Sequence, residues 1–151
     1  MKQTKVVAGF PGTGKSYMFR NNTENLVLLD SDSSKFSWIS KGVRHPRFPQ
    51  NYIEHIKENL GVADFIFVST HDVVIKALQE NGIPFTLVYP GMELKDTYLS
   101  NYKERGNDEA FIAFISKNWD NFIANMMLTD CKQRIELRRG QYIKDIVDQI
   151  V

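Results

Sequence analysis

Cysteine is nearly absent: Cys131 is the single thiol among 151 residues. One thiol cannot close an intramolecular disulfide, and with no second cysteine and no Cys/His pair spacing it offers no metal site. A reducing compartment, the cytoplasm, is the expected setting. Long hydrophobic runs are absent as well: nothing approaches the ~18 consecutive apolar residues of a membrane span. The opening Met1, Lys2 and Gln3 lead into an apolar segment no longer than one strand, so neither a signal peptide nor a membrane partner is expected. Charge of one sign is missing too. With 19 basic and 18 acidic residues the formal net charge is +1, which gives no global field to hold long nucleic acid and leaves only a local basic groove for a nucleic-acid end. There is no internal repeat and no low-complexity linker. What remains is ordinary: 42% hydrophobic and 25% charged residues are globular usage, in a chain the size of one domain.

Four short runs read as strands, at 4–10, 25–29, 64–68 and 85–89. The last three are continuous in aliphatic and aromatic residues, as in strands buried on both faces. Helix-like stretches at 14–21, 51–60 and 71–80 lie between them, and the alternation predicts βαβ units around a parallel sheet, an α/β fold. Asn81-Gly82 followed by Pro84 stops the third helix. After Tyr89 the chain turns at Pro90-Gly91 and is expected to be mostly helical to its end. Ala110, Phe111, Phe114, Ile115, Trp119 and Phe122 recur on one face, with Trp119 read as core. A final amphipathic helix is expected over 132–150, placing Ile135, Tyr142, Ile143, Ile146 and Ile150 near one stripe, with Gly140 as an interruption.

The strongest chemical signal is Gly9-Phe10-Pro11-Gly12-Thr13-Gly14-Lys15-Ser16, which fills every fixed position of G-x-x-x-x-G-K-[ST], the P-loop or Walker A pattern. It follows a strand and opens a helix. That context turns successive backbone N–H groups inward at a helix N-terminus, where the dipole favours phosphate. Gly9, Pro11, Gly12, Thr13, Gly14, Lys15 and Ser16 are therefore the expected ATP-binding residues. Lys15 would reach the β- and γ-phosphates, and the Ser16 hydroxyl would complete a Mg²⁺ shell. No guanine-reading Asn-Lys-x-Asp tetrapeptide occurs, which counts against a GTPase. The run 64–70 ends in Ser69-Thr70 rather than an acidic pair, which counts against a motor or transport ATPase.

With this loop, and with Leu28-Leu29-Asp30-Ser31-Asp32 after the second strand, the sequence resembles the small P-loop kinases of nucleoside monophosphates, shikimate and polynucleotide 5′-hydroxyl ends. The resemblance implies one kinase-like domain over 1–151, a three-layer P-loop NTPase, with an acceptor-binding insertion at about 33–60 and a mobile lid at about 91–107. It places Asp30 and Asp32 where the group carries an acidic residue facing the acceptor or its magnesium. In an extended segment these two carboxylates point the same way; a solvated turn with an N-cap reads the same. In the insertion position, Trp38, Lys41, Arg44, His45, Arg47 and Phe48 mix aromatics that stack on a base with cations that bind phosphate. Arg44 and Arg47 are the candidate phosphate clamps, an anchored surface loop being the other reading, and His45 before Pro46 is read as structural.

Two further positions follow from the resemblance. Thr70 stands where the group often presents an acidic residue to magnesium, with Asp72 a substitute that reads equally as a helix cap. The segment from Glu93-Leu94 to Arg105-Gly106 resembles the lid of polynucleotide kinase. A helix there would group Lys95, Tyr98, Tyr102 and Arg105 on one face, and closure would bring Arg105 to the transferring phosphate. The stretch from Leu87 to Trp119 is also similar to kinase-like proteins of bacteriophages and related bacteria. The resulting expectation is an ATP- and Mg²⁺-dependent phosphotransferase acting on a nucleotide or deoxynucleotide. Its catalytic residues would be Lys15, Asp32 and Arg105, its substrate-binding residues Asp30, Arg44 and Arg47, and its metal ligands Ser16 and Asp32. Alternatives are a polynucleotide 5′-hydroxyl kinase and a nonenzymatic nucleotide-binding module.

Overall fold

The computed structural model describes residues 3–20, 28–30, 38–40, 43–44 and 50–151. Five strands form one parallel sheet: β1 (Lys5–Gly9), β2 (Leu28–Asp30), β5 (Phe65–Val68), β6 (Thr86–Pro90) and β7 (Gln133–Leu137), in the order β2-β5-β1-β6-β7. β3 (Trp38–Ser40) and β4 (Val43–Arg44) make a separate antiparallel pair, with Trp38 opposite Arg44. β1, β5 and β6 are nearly solid in buried residues, because a parallel strand with helices above and below has no solvated face. Registers such as Ala8 with Val68 and with Leu87 bring the C-terminal ends of all five strands to one edge of the sheet.

Two apolar clusters cover the two faces. On one, Val6, Ala8, Ile66 and Leu87 meet α2 (Gln50–Asn59), α3 (Asp72–Glu80), α4 (Lys95–Glu104) and α5 (Glu109–Leu128). On the other, Val7, Phe67, Val88 and Leu137 meet Met18 of α1 (Lys15–Arg20) and Ile143 and Ile146 of α6 (Ile143–Ile146). This is a three-layer α/β fold with its glycine loop between the central strand and the first helix, as expected. α3 stops where Asn81-Gly82 implies: Gly82 N–H donates to Gln79 O and Ile83 N–H to Leu78 O, the paired bonds of a Schellman stop.

The region beyond Tyr89 departs from expectation in one element. The helix expected over 132–150 is instead strand β7 followed by the short α6 and a single 3₁₀ turn (Val147–Gln149). Gln133-Arg134-Ile135-Glu136-Leu137 alternates polar and apolar, and Ile135 and Leu137 are its buried pair. A β6 edge without a partner would leave a row of backbone groups unpaired, and β7 pairs them from Thr86 to Pro90. α5 forms as expected, capped by Asp108, whose carboxylate accepts from Phe111 N–H at 2.7 Å. Its buried stripe is Ile115, Trp119, Ile123 and Met126, the i, i+4, i+8 spacing of a face turned to the sheet. Trp119 is core, and its indole N–H donates to Met92 O. Ala110 is exposed and Phe114 is 56% exposed, so these two stand off the packed face.

Candidate nucleotide site

At the C-terminal edge of the sheet, where open α/β folds bind their ligands, the loop after β1 is held in a fixed curve. Phe10 N–H donates to Val88 O of β6, and Thr13, fully buried, donates from both N–H and Oγ1 to Phe10 O. Gly12 and Gly14 take φ of 88° and 101°, a left-handed backbone that a side chain would strain. At Gly9 a Cβ would stand 2.9 Å from Thr13 Oγ1 and 3.0 Å from the Lys15 stem. The cradle is thus closed to side chains and fits a phosphate chain bound through backbone N–H groups. Lys15 opens α1, and its ammonium donates to Gly9 O across the loop.

Two neighbours grip the loop from opposite sides. The Tyr102 hydroxyl of α4 donates to Pro11 O at 2.6 Å, and Tyr98 and Tyr102 close over Gly12. From the turn after β7, Ile143 N–H donates to Thr13 O at 2.9 Å, and Tyr142 lies against Gly14. Asn101 of α4 donates to the Tyr142 hydroxyl at 3.3 Å, joining the two grips. Burial pushes both Tyr98 and Tyr102 well above the usual tyrosine value, with Tyr142 adding to the shift at Tyr98. Burial thus favours the neutral form of both phenols, and that of Tyr102 is a donor.

Beside the loop lies a cavity of about 440 Å³ lined by Pro11, Gly12, Gly14, Lys15, Tyr17, Arg105, Tyr142 and Lys144. It brings three cations together with two aromatic rings, and Lys144 Nζ stands 5.0 Å from the Tyr17 ring centre. The backbone at Arg105 is set by a second Schellman stop: Gly106 N–H donates to Lys103 O and Asn107 N–H to Tyr102 O.

Sequence reading placed Gly9, Pro11, Gly12, Thr13, Gly14, Lys15 and Arg105 in a site, and these residues do come together. Tyr17, Tyr142 and Lys144 were not singled out for it. Tyr17 carried a signal, since it follows the Lys-Ser pair directly; the other two join through tertiary contact alone. Lys95 begins α4 and is not among the described residues lining the cavity. For Ser16, Asp30 and Arg44 the structure describes the backbone: Ser16 in the first turn of α1, Asp30 at the C-terminal end of β2, and Arg44 in β4. Between β2 and β1 lies β5, so Asp30 shares the loop's edge at two strands' distance. Asp32, Lys41, His45, Arg47 and Phe48 lie outside the described residues.

Thr70 follows β5 beside the loop strand, as expected. Asp72 is the first residue of α3 and His71 its cap position, without a side-chain cap bond; Asp72 is thus a first-turn carboxylate in the helix dipole, not the cap. Among the described residues no group of three His, Cys, Asp or Glu side chains could hold a metal. No described helix is long and apolar enough to cross a membrane.

The strand order and the glycine loop define a P-loop α/β protein. No protein-family model and no curated protein sequence matches the chain. Among solved structures it is similar to a gluconokinase from Sinorhizobium meliloti 1021, at 14% identity over 99% of this chain and 89% of that one, with a TM-score of 0.49. A similarity of that size carries nothing about substrate, and the fold stands on the strand order and the loop geometry.

Proposed function

We propose that the chain is an ATP-dependent phosphotransferase of the P-loop kinase kind, acting on a nucleotide or deoxynucleotide. The observation that carries this reading is the convergence of Lys15 and Arg105 on one cavity beside a backbone cradle closed to side chains. ATP would supply the phosphoryl group, with Mg²⁺ neutralising its oxygens. The loop amides and Lys15 would hold the phosphates, and Tyr17 and Tyr142 offer ring faces for the base. Arg105 would offset charge on the transferred group once the lid is shut. Ser16 and Asp32 are the proposed Mg²⁺ ligands, Asp32 with Asp30 orients the acceptor, and Arg44 or Arg47 clamps its phosphate. The segment 91–107 is the proposed lid over the site, and the hairpin and helix within 33–60 the acceptor insertion.

The test is transfer from ATP across a panel of nucleotides, nucleosides and oligonucleotide ends. Transfer to a nucleotide is expected, falling by roughly 10²-fold or more in Lys15→Ala, the size of effect seen when one charge-stabilising donor is removed. Preference for an oligonucleotide 5′ end would redirect the reading to end phosphorylation, in which Asp32→Asn should nearly abolish activity. The uncharged Thr70 after β5 favours one second reading, a nucleotide-binding module without transfer. ATP binding with no transfer across the whole panel would establish it.

A further inference from the structure

A second cavity, of about 390 Å³, opens on the other side of the loop, between α3 and α5. Pro11 belongs to both cavities, so the phosphate cradle is the partition between them. Their chemistry differs. The first holds Lys15, Arg105 and Lys144. The second has no lysine or arginine among its described lining, and its walls are Phe111, Phe114, Phe122, Ile75, Ile115 and Met126. Its polar groups are Thr70, His71 and Asp72, where β5 delivers the chain to the loop's edge, and Asn125 in the last turn of α5 with Thr129 at its C-cap.

One residue of the wall is exposed where packing alone would bury it. Phe114 keeps 56% of its surface in contact with solvent while its ring stands 5.6 Å from that of Phe122, tilted by 58°. Phe111 is anchored on the opposite side by an edge contact with Tyr102, at 5.2 Å, the residue that holds the loop through Pro11. Aromatic side chains thus stand over a cleft whose floor is Phe10 and Leu87. A cleft of this volume, apolar with a few polar groups, is the form of a small-molecule site.

We infer that this cleft holds the flat ring of the phosphoryl acceptor, with the acceptor's reactive end directed toward Thr70, Asp72 and the loop. The ligand class is a nucleobase-bearing molecule. No lysine or arginine is among the cleft's described lining, so any phosphate on the acceptor is assigned to the mouth, outside the cleft. An open-chain polyol would leave the phenylalanine wall in water and its own hydroxyls without partners, and is disfavoured on both counts. The role as an acceptor site rests on the phosphotransferase reading; the ring-binding site stands on the cleft alone.

The experiment is direct binding of adenosine, guanosine, cytidine and thymidine to the full chain, with a non-hydrolysable ATP analogue present, followed by ligand-observed NMR and titration. Phe114→Ala, which removes a half-exposed ring, and Ile75→Trp, which fills the cleft, are compared with the parent after circular dichroism has verified folding. At least one nucleoside is expected to bind, about tenfold more weakly in Phe114→Ala, within the range for loss of one base-stacking ring. It should also bind more weakly in Ile75→Trp, with affinity for the ATP analogue unchanged in both. No binding of any nucleoside, or binding that neither variant alters, overturns the cleft assignment. Nucleoside binding that both variants weaken, without transfer to any acceptor, upholds the ring site and overturns the phosphotransferase reading instead.

Discussion

Gly12 and Gly106 both take positive φ, 88° and 82°, yet they differ in what surrounds them. A Cβ on Gly12 would stand 2.9 Å from the ring of Tyr102, which is fully buried and bonded to Pro11, whereas a Cβ on Gly106 would meet nothing within 4 Å. Gly106→Ala should therefore carry only the conformational cost of about 1–3 kcal/mol, read by denaturant melts. Gly12→Ala should cost more and should also weaken binding of an ATP analogue, because the ring can retreat only by breaking the bond to the loop. The two tyrosines on the loop make a second contrast. The Tyr98 hydroxyl is buried with no hydrogen-bond partner among the described residues, while that of Tyr102 is satisfied. Leaving a buried hydroxyl unpaired costs roughly 1–3 kcal/mol, so Tyr98→Phe is expected to raise the melting temperature by a few degrees. Tyr102→Phe should lower it, and an equal response in calorimetry would show that the two hydroxyls are not distinguished in this way.

Elements were legible in proportion to how locally their cause is written. The loop was readable residue by residue because Gly9, Gly12 and Gly14 answer to backbone geometry at their own positions. β1, β5 and β6 announced themselves as apolar runs. β7 did not, because an edge strand with polar residues at alternate positions shows only two core residues, and Ile135 also fits the helical spacing of Ile143, Ile146 and Ile150. Two features separate the readings: Gly140, at φ 78°, breaks any helix there, and the unpaired edge of β6 requires a partner. Tyr142 and Lys144 escaped for the same reason, since their place depends on β7 being a strand that ends beside the loop. Tyr98, Tyr102 and Arg105 were legible as one helical face, and α4 does turn both tyrosines inward and carry Arg105 at its end.

At the scale of the molecule the buried phenols set an alkaline limit. Burial penalises the phenolates of Tyr98 and Tyr102, so the folded chain holds these protons more tightly than the unfolded chain does. Stability from them is complete below the ordinary tyrosine value near pH 10 and is lost as pH rises beyond it. Cys131, raised chiefly by burial, begins the decline from about pH 9. Melts across pH 8–11 should show a falling alkaline limb that is shallower in the Tyr98→Phe/Tyr102→Phe double variant; an unchanged limb would assign the decline to other groups. The bond from Ile143 N–H to Thr13 O has a different kind of consequence. The phosphate loop is synthesised well before one of its two grips and part of the cover over Val7 and Phe67, which come from Ile143 and Ile146. A nascent chain therefore carries its glycine loop without the turn that fixes it until the segment around Ile143 has been made. The nucleotide site is completed only after that distant turn has docked, so bound nucleotide would stabilise the folded site by mass action, rather than guide the early steps of folding.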